Sequence, residues 1–172
     1  MADFPPLSLQ PIAEEVVELL KARKETVSVA ETAAGGLISA SLLSIPGASA
    51  VYRGGATVYN LESRIAFGGW TEDTLKDYTG STPEVLTALA DYSRQTLGST
   101  YAVSESGTAG PTGGPGKDRT PGFVALAVST ADGAETREIE RGSDNRAENM
   151  VAFTEAALKL LKEVILSRSS KV

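Results

Sequence analysis

Three stretches of this chain set hydroxyls, carboxylates or cations beside glycines in patterns that can do chemistry. In VSVAETAAGGLIS, a β-branched run ends at Glu31, Thr32 follows, and Gly35 and Gly36 lead into an apolar helical pattern. A hydroxyl placed there lies near backbone N–H groups, and helix N-termini favour phosphates and oxyanions. The competing reading is an ordinary N-cap with close backbone packing. No Gly-Lys-Ser/Thr follows, so the turn is not a P-loop, and it is not Gly-x-Gly-x-x-Gly either. In YRGGATVYNLESR, Tyr52 and Tyr59 flank a strand, and Glu62 and Arg64 follow. A tyrosine can donate to a reacting oxygen and an arginine can clamp a phosphate; the plain alternative is a half-buried tyrosine beside a solvated ion pair. In SESGTAGPTGGPGKDRTPG, a glycine-rich loop directly follows a strand, the usual ligand position in an α/β sheet. Its amides, with Ser106 and Thr108, form a cradle for a polar ligand, or else a loop that binds nothing.

The elements that must position these stretches are legible in the apolar spacing. Ile12, Val16, Leu19 and Leu20 predict an opening helix behind Ser8 as N-cap. TVSVAE predicts a buried strand, and GGLISASLLS a helix. AVYRGGATVYN predicts a second strand, with Gly54 and Gly55 marking a bulge or a close backbone approach. LESRIAF, TEDTLKDY and TPEVLTALADYSRQTL predict three helices, the last capped by Thr82 with Pro83 at its first position. TYAVSES and FVALAVST predict strands, and ETREIERG an antiparallel partner after the turn ADG. Of the sixteen residues from Gly107 to Gly122, six are glycine and three are proline; such a stretch is either a functional loop or a disordered linker. From Arg146, a stripe of Met150, Phe153, Ala157, Leu161 and Val164 predicts a long final helix. Strands mixed with covering helices predict an α/β fold, a three-layer sandwich in one domain over residues 1–172.

Composition narrows the chemistry. The chain of 172 residues has no cysteine and no histidine, which removes thiolate nucleophiles, disulfides and the commonest general base and metal ligand. Catalysis would fall to Ser, Thr, Tyr, Asp, Glu, Lys or Arg. The carboxylates are scattered, so no metal site is expected. A net charge of −6 argues against a nucleic-acid partner. The apolar runs are too short to span a membrane, and the first ten residues do not read as a signal peptide; a cytoplasmic location is expected.

Taken together, the three stretches resemble the C-terminal domain of the competence-damage-inducible protein CinA, the nicotinamide mononucleotide deamidase family. Ala30-Glu31-Thr32-Ala33-Ala34-Gly35-Gly36 is similar to the family's Ala-Glu-Ser-Cys/Ala-Thr-Gly-Gly. SIPGASAVYRGGATVYN is similar to its Pro/Ala-Gly-Ser-Ser, aromatic, Gly-Gly, Tyr stretch, SGTAGPTGG to Ser-Gly-Ile-Ala-Gly-Pro-Asp-Gly-Gly, and TPGFVALAV to its Pro-Val-Gly-Thr-Val segment. Order and spacing agree from roughly residue 10 to 165. The resemblance implies a mixed sheet covered by helices on both faces, usually in a homo-oligomer, and a hydrolase that takes a small-molecule substrate without metal or other cofactor. The carboxamide of nicotinamide mononucleotide would be converted to the acid with release of ammonia. By that likeness Thr32, Tyr59 and Arg64 occupy catalytic positions, Thr32 as nucleophile and Tyr59 as positioning donor. The ligand would meet Glu31, Gly35, Gly36 and Gly55, the loop residues Ser106, Gly107, Thr108, Ala109, Gly110, Gly113 and Gly114, and Arg146, with Arg64 and Arg146 as phosphate or charge stabilisers.

The departures fall on chemistry. Thr32 stands where the family has serine, Ala34 where it has threonine, and Arg64 where it has lysine. Arginine keeps the charge and cannot act as a base. A second family arginine in the last helix becomes Met150. Two readings follow: an amidohydrolase with a threonine nucleophile, or a protein on the same fold that binds a nucleotide or another phosphate-bearing anion, or serves assembly, without turnover.

Overall fold

A computed structural model describes residues 4–169. A 3-10 turn at Leu7–Leu9 leads into α1 (Gln10–Arg23). Leu9, not Ser8, stands at the N-cap and no side chain caps the helix. The correction has a simple cause: the 3-10 turn continues directly into the helix, and Pro11 in its first turn has no N–H to satisfy. There follow β1 (Val27–Glu31), α2 (Leu37–Leu43), β2 (Tyr52–Thr57), α3 (Leu61–Phe67), α4 (Glu72–Lys76) and α5 (Pro83–Leu97). The chain ends with β3 (Tyr101–Thr108), β4 (Phe123–Thr130), β5 (Gly133–Glu140) and α6 (Arg146–Ser169).

The five strands form one mixed sheet in the order β2-β1-β3-β4-β5. β1 lies parallel to both β2 and β3, while β4 and β5 are added antiparallel. Pairing of β1 with β2 skips Arg53, because Val27 pairs with Tyr52 and Ser28 with Gly54. The two glycines therefore mark both a bulge and a close approach, since a Cβ on Gly55 would stand 2.9 Å from the Val29 carbonyl oxygen.

Helices cover both faces. Strand alternation sends Tyr101 and Val103 into a core shared with Val16 and Leu20 of α1, Ile38 and Leu42 of α2, and Phe153 and Leu161 of α6. Ala102, Ala125 and Ala127 face Leu86 and Ala90 of α5 on the other side. Thr82 caps α5 by accepting from the Val85 N–H, with Pro83 in the first turn. Of the α6 stripe, Phe153, Ala157, Leu161 and Val164 are buried and Met150 half-buried. The motif residues all follow from this arrangement. The C-terminal ends of the parallel strands β1, β2 and β3 lie together, and each runs into one of the three stretches.

Candidate functional site

Glu31 and Glu105 end up side by side because they are register partners on adjacent parallel strands. Both are completely buried. Glu31 Oε2 accepts from the Ile38 amide at 3.0 Å, and its Oε1 from the Ser39 amide at 3.0 Å and the Ser39 hydroxyl at 2.6 Å. Glu105 Oε2 accepts from the amides of Thr32 at 3.0 Å and Ala34 at 2.9 Å. Its Oε1 is buried with no hydrogen-bond partner among the described residues. The turn amides expected to receive a ligand anion are therefore already taken by the chain's own carboxylates. The Gly35 and Leu37 amides donate to the carbonyls of Thr32 and Ala34. Glu31 is buried beneath α2, with both carboxylate oxygens accepting from Ile38 and Ser39.

Two carboxyl groups this close cannot share the charged form cheaply. Burial is the main force on Glu105, pushing its carboxyl up to about 7; the two amides oppose this, Glu31 adds to it, and Arg64 opposes it. The neighbouring phenol of Tyr52 is raised as well, first by burial, with a Ser39 hydrogen bond opposing and the charge of Glu31 adding. Gly35 and Gly36 complete the turn with φ of +70° and +95°, conformations that L side chains rarely adopt. A Cβ on Gly35 would stand 2.8 Å from the Met150 methyl, so the first turns of α6 lie directly against the Thr32 turn. Thr32 itself is only 3% exposed, while Gly35 at the far end of the turn is exposed.

Arg64, on α3, points inward. It is 5% exposed. Its Nε donates to the Val58 carbonyl (3.4 Å), Nη1 to the Tyr78 hydroxyl (3.1 Å) and Nη2 to Ser106 Oγ (3.1 Å). The guanidinium lies 5.0 Å from the Trp70 ring and 5.4 Å from that of Tyr78, and the two rings meet edge to face. No ion pair among the described residues includes it. Each of its three nitrogens thus donates to an acceptor inside the protein. What it supplies is a fixed positive charge behind Ser106, whose Oγ also shares a 2.8 Å hydrogen bond with Ser81.

A second cluster is open to solvent. Arg146, at the start of α6, donates from Nη1 to the Gly110 carbonyl (2.9 Å) and from Nη2 to the Tyr59 hydroxyl (3.2 Å). Tyr59 is 60% exposed. Three separated segments thus converge: the β2–α3 connection, the glycine-rich loop and the last helix. Asn149 fastens the loop, its buried amide donating to the carbonyls of Ala109 (2.9 Å) and Ser143 (2.8 Å) while its oxygen accepts from Arg141 (2.8 Å).

The loop is folded rather than a linker. Thr108 Oγ1 donates to the Asp118 carbonyl at 2.9 Å, and the Gly114 amide to that of Arg119 at 3.0 Å. Gly107 belongs to β3 and pairs with Val124, where a Cβ would overlap the Phe123 carbonyl oxygen. A Cβ on Gly113 would crowd the Arg119 carbonyl oxygen at 2.6 Å. Strand pairing accounts for Gly107, loop closure for Gly113 and Gly114, and the β1–β2 contact for Gly55. Glu105, Trp70, Tyr78 and Asn149 belong to these clusters although none stands among the candidates named from the sequence. A carboxylate inside an otherwise buried strand was the available signal for Glu105, and the single tryptophan was one for the Arg64 cage. Among the described residues no cluster of three or more His, Cys, Asp or Glu could hold a metal, and no helix is long and apolar enough to cross a membrane.

The family description that matches this chain is the CinA C-terminal domain, over residues 9–165. A CinA-like protein of Desulfosudis oleivorans is 32% identical over 152 residues, which cover 88% of this chain and 37% of that protein. A putative competence-damage inducible protein of Caldicellulosiruptor saccharolyticus is 34% identical over 158 residues, covering 92% and 38%. Among solved structures, the competence/damage inducible protein CihA from Agrobacterium tumefaciens superposes with a TM-score of 0.84 at 28% identity, covering 94% of this chain and 97% of that one. A CinA superfamily protein from Klebsiella pneumoniae shares the fold at a TM-score of 0.83 and 22% identity, covering 92% and 98%. The α/β fold and these matches define the class, and the chain belongs to the CinA C-terminal domain family. It spans under two-fifths of the length of those two curated relatives.

Proposed function

We propose that the chain is a pyridine-mononucleotide amidohydrolase of the nicotinamide mononucleotide deamidase type. The observation that carries this reading is the meeting of Tyr59, Gly110 and Arg146, four residues before Met150, which reaches Gly35 of the Thr32 turn. Arg146 and Tyr59 receive the phosphate, which places the pyridine carboxamide toward Thr32. The Thr32 hydroxyl oxygen adds to the amide carbon, the carbon–nitrogen bond breaks, and ammonia leaves carrying the hydroxyl proton. Water then cleaves the threonine ester to give the acid and restore the hydroxyl. Arg64 holds charge behind Ser106 and takes no proton. Ammonia release from nicotinamide mononucleotide, compared between the wild type and Thr32→Ala, tests the reading; release that survives the substitution sinks it.

A second reading is binding without turnover. It is supported by the burial of Thr32 and by the Thr32 and Ala34 amides, which would serve as oxyanion donors but already serve Glu105. Under it, nicotinamide mononucleotide raises the melting temperature while no ammonia appears. Thr32→Ser combined with Arg64→Lys then restores release. A homo-oligomer belongs to the same proposal. Its support is the open β2 edge, where a cleft of about 390 Å³ runs between β2, α3 and α5 beside the exposed side chains of Phe67, Tyr92 and Leu97.

A further inference from the structure

We infer that Glu105 is a positioning residue of the Thr32 turn, holding it through Oε2 and exchanging a proton at Oε1, so that ionisation of Glu105 tightens the turn.

The inference rests on the reading of that turn as the reacting site, and its geometry stands independently of any ligand. Both oxygens of Glu31 are satisfied by three donors. Glu105 has two donors on one oxygen and none on the other. Like charges this close favour a proton on one of the pair, and Glu105 is the carboxyl with an oxygen left without a donor. The proton sits on the oxygen without a donor, because Oε2 already accepts two N–H bonds. A neutral acid accepts weakly through Oε2; a carboxylate accepts roughly twice as strongly. Deprotonation therefore draws the Thr32 and Ala34 amides toward β3 and holds in place the turn that carries the Thr32 hydroxyl.

The charged groups bearing on Glu105 come from two elements, Glu31 from β1 and Arg64 from α3, and they act in opposite directions. Its partner on β4 is the apolar Leu126, and Met150 is the residue of α6 that reaches the turn. On α2, Ser39 is engaged with Glu31. Burial then decides the outcome, with ionisation at about pH 7.

Four amides report the two carboxyls separately, Thr32 and Ala34 for Glu105 and Ile38 and Ser39 for Glu31. Amide shifts followed by nuclear magnetic resonance from about pH 5 to about pH 9 test the inference in the wild-type chain. The expected result is a titration of Thr32 and Ala34 near neutrality, a steady Ile38 and Ser39, and loss of that titration in Glu105→Gln. Flat Thr32 and Ala34 shifts, or all four amides moving together, overturn it. If the variant does not fold, the wild-type titration decides alone. Affinity for nicotinamide mononucleotide should rise over the same range in the wild type and lose its pH dependence in the variant. An affinity that is measurable and pH-independent in the wild type also overturns the inference. A wild type that does not bind the nucleotide at all removes the proposed ligand and leaves the amide titration to judge Glu105.

Discussion

At the scale of the residue, the site is decided by which side chains answer the buried amides. Glu105 shows the cost. Its folded ionisation near 7 lies above the ordinary 4.5, so the folded chain binds the proton more tightly than the unfolded chain does. Stability from this group is then present at low pH, declines as pH rises between those values, and levels off above about 7. The shift corresponds to on the order of 3 kcal/mol across that window. Denaturant titrations at the two ends of the window should show the wild type losing about that much more than Glu105→Gln. Equal losses in the two proteins would mean that the carboxyl is already ionised in the acidic range. Arg64 gives a second expectation. Lysine cannot reach Val58, Tyr78 and Ser106 from one planar group, so Arg64→Lys should cost about 1–3 kcal/mol in a urea titration. An unchanged midpoint would mean that the Trp70 and Tyr78 cage contributes packing alone. The likeness to the family named Thr32, Tyr59, Arg64 and Arg146, but the motif could not say which of them the fold buries. A buried guanidinium and an exposed one have the same letter, and only the fold separates Arg64 from Arg146.

At the scale of the element, most boundaries were legible because local signals and packing agree. LESRIAF is α3 from end to end, FVALAVST is β4, and Thr82 and Pro83 open α5 as their types demand. Ser8 misled, since a hydroxyl before an apolar pattern looks the same whether the chain enters extended or through a 3-10 turn. The glycine-rich loop could not be read either. Besides the bonds within it, it is tied by contacts remote in sequence, from Asn149 to the Ala109 carbonyl and from Arg146 to that of Gly110. Asn149→Ala strips donors from two carbonyls and should cost about 1–3 kcal/mol. Hydrogen exchange should then quicken at the amides around Ala109 and Gly114 more than in β4. Uniform quickening across the sheet would mean that the asparagine supports α6 as a whole rather than the loop.

At the scale of the whole molecule, the sheet order leaves β2 and β5 as edges, and they are treated differently. β5 carries Glu135, Arg137, Glu138 and Glu140, charges that are a common defence against edge pairing. β2 carries Gly54, Gly55 and Ala56 beside exposed Phe67, Tyr92 and Leu97. If copies meet at that edge, Leu97→Glu should lower the mass measured by light scattering, and Leu166→Glu on α6 should not. A mass unchanged by Leu97→Glu would move the interface elsewhere. None of this was visible in composition, because exposure of an apolar residue depends on which strand ends the sheet.

The change from parallel to antiparallel pairing also bears on the order in which the molecule assembles. β3, β4 and β5 are neighbours in both sequence and space, whereas β1 reaches β3 only after some seventy intervening residues. Local pairings form before remote ones because closing a long loop costs more entropy. The meander carrying Glu105 should therefore be in place before the Thr32 turn docks on it, and the carboxyl should lose its water only in that late step. The pH dependence attributed to Glu105 should then appear mainly in the unfolding rate, with the folding rate nearly level over the same range. Stopped-flow folding at the two pH extremes would reverse this order of events if the folding rate carried the change instead.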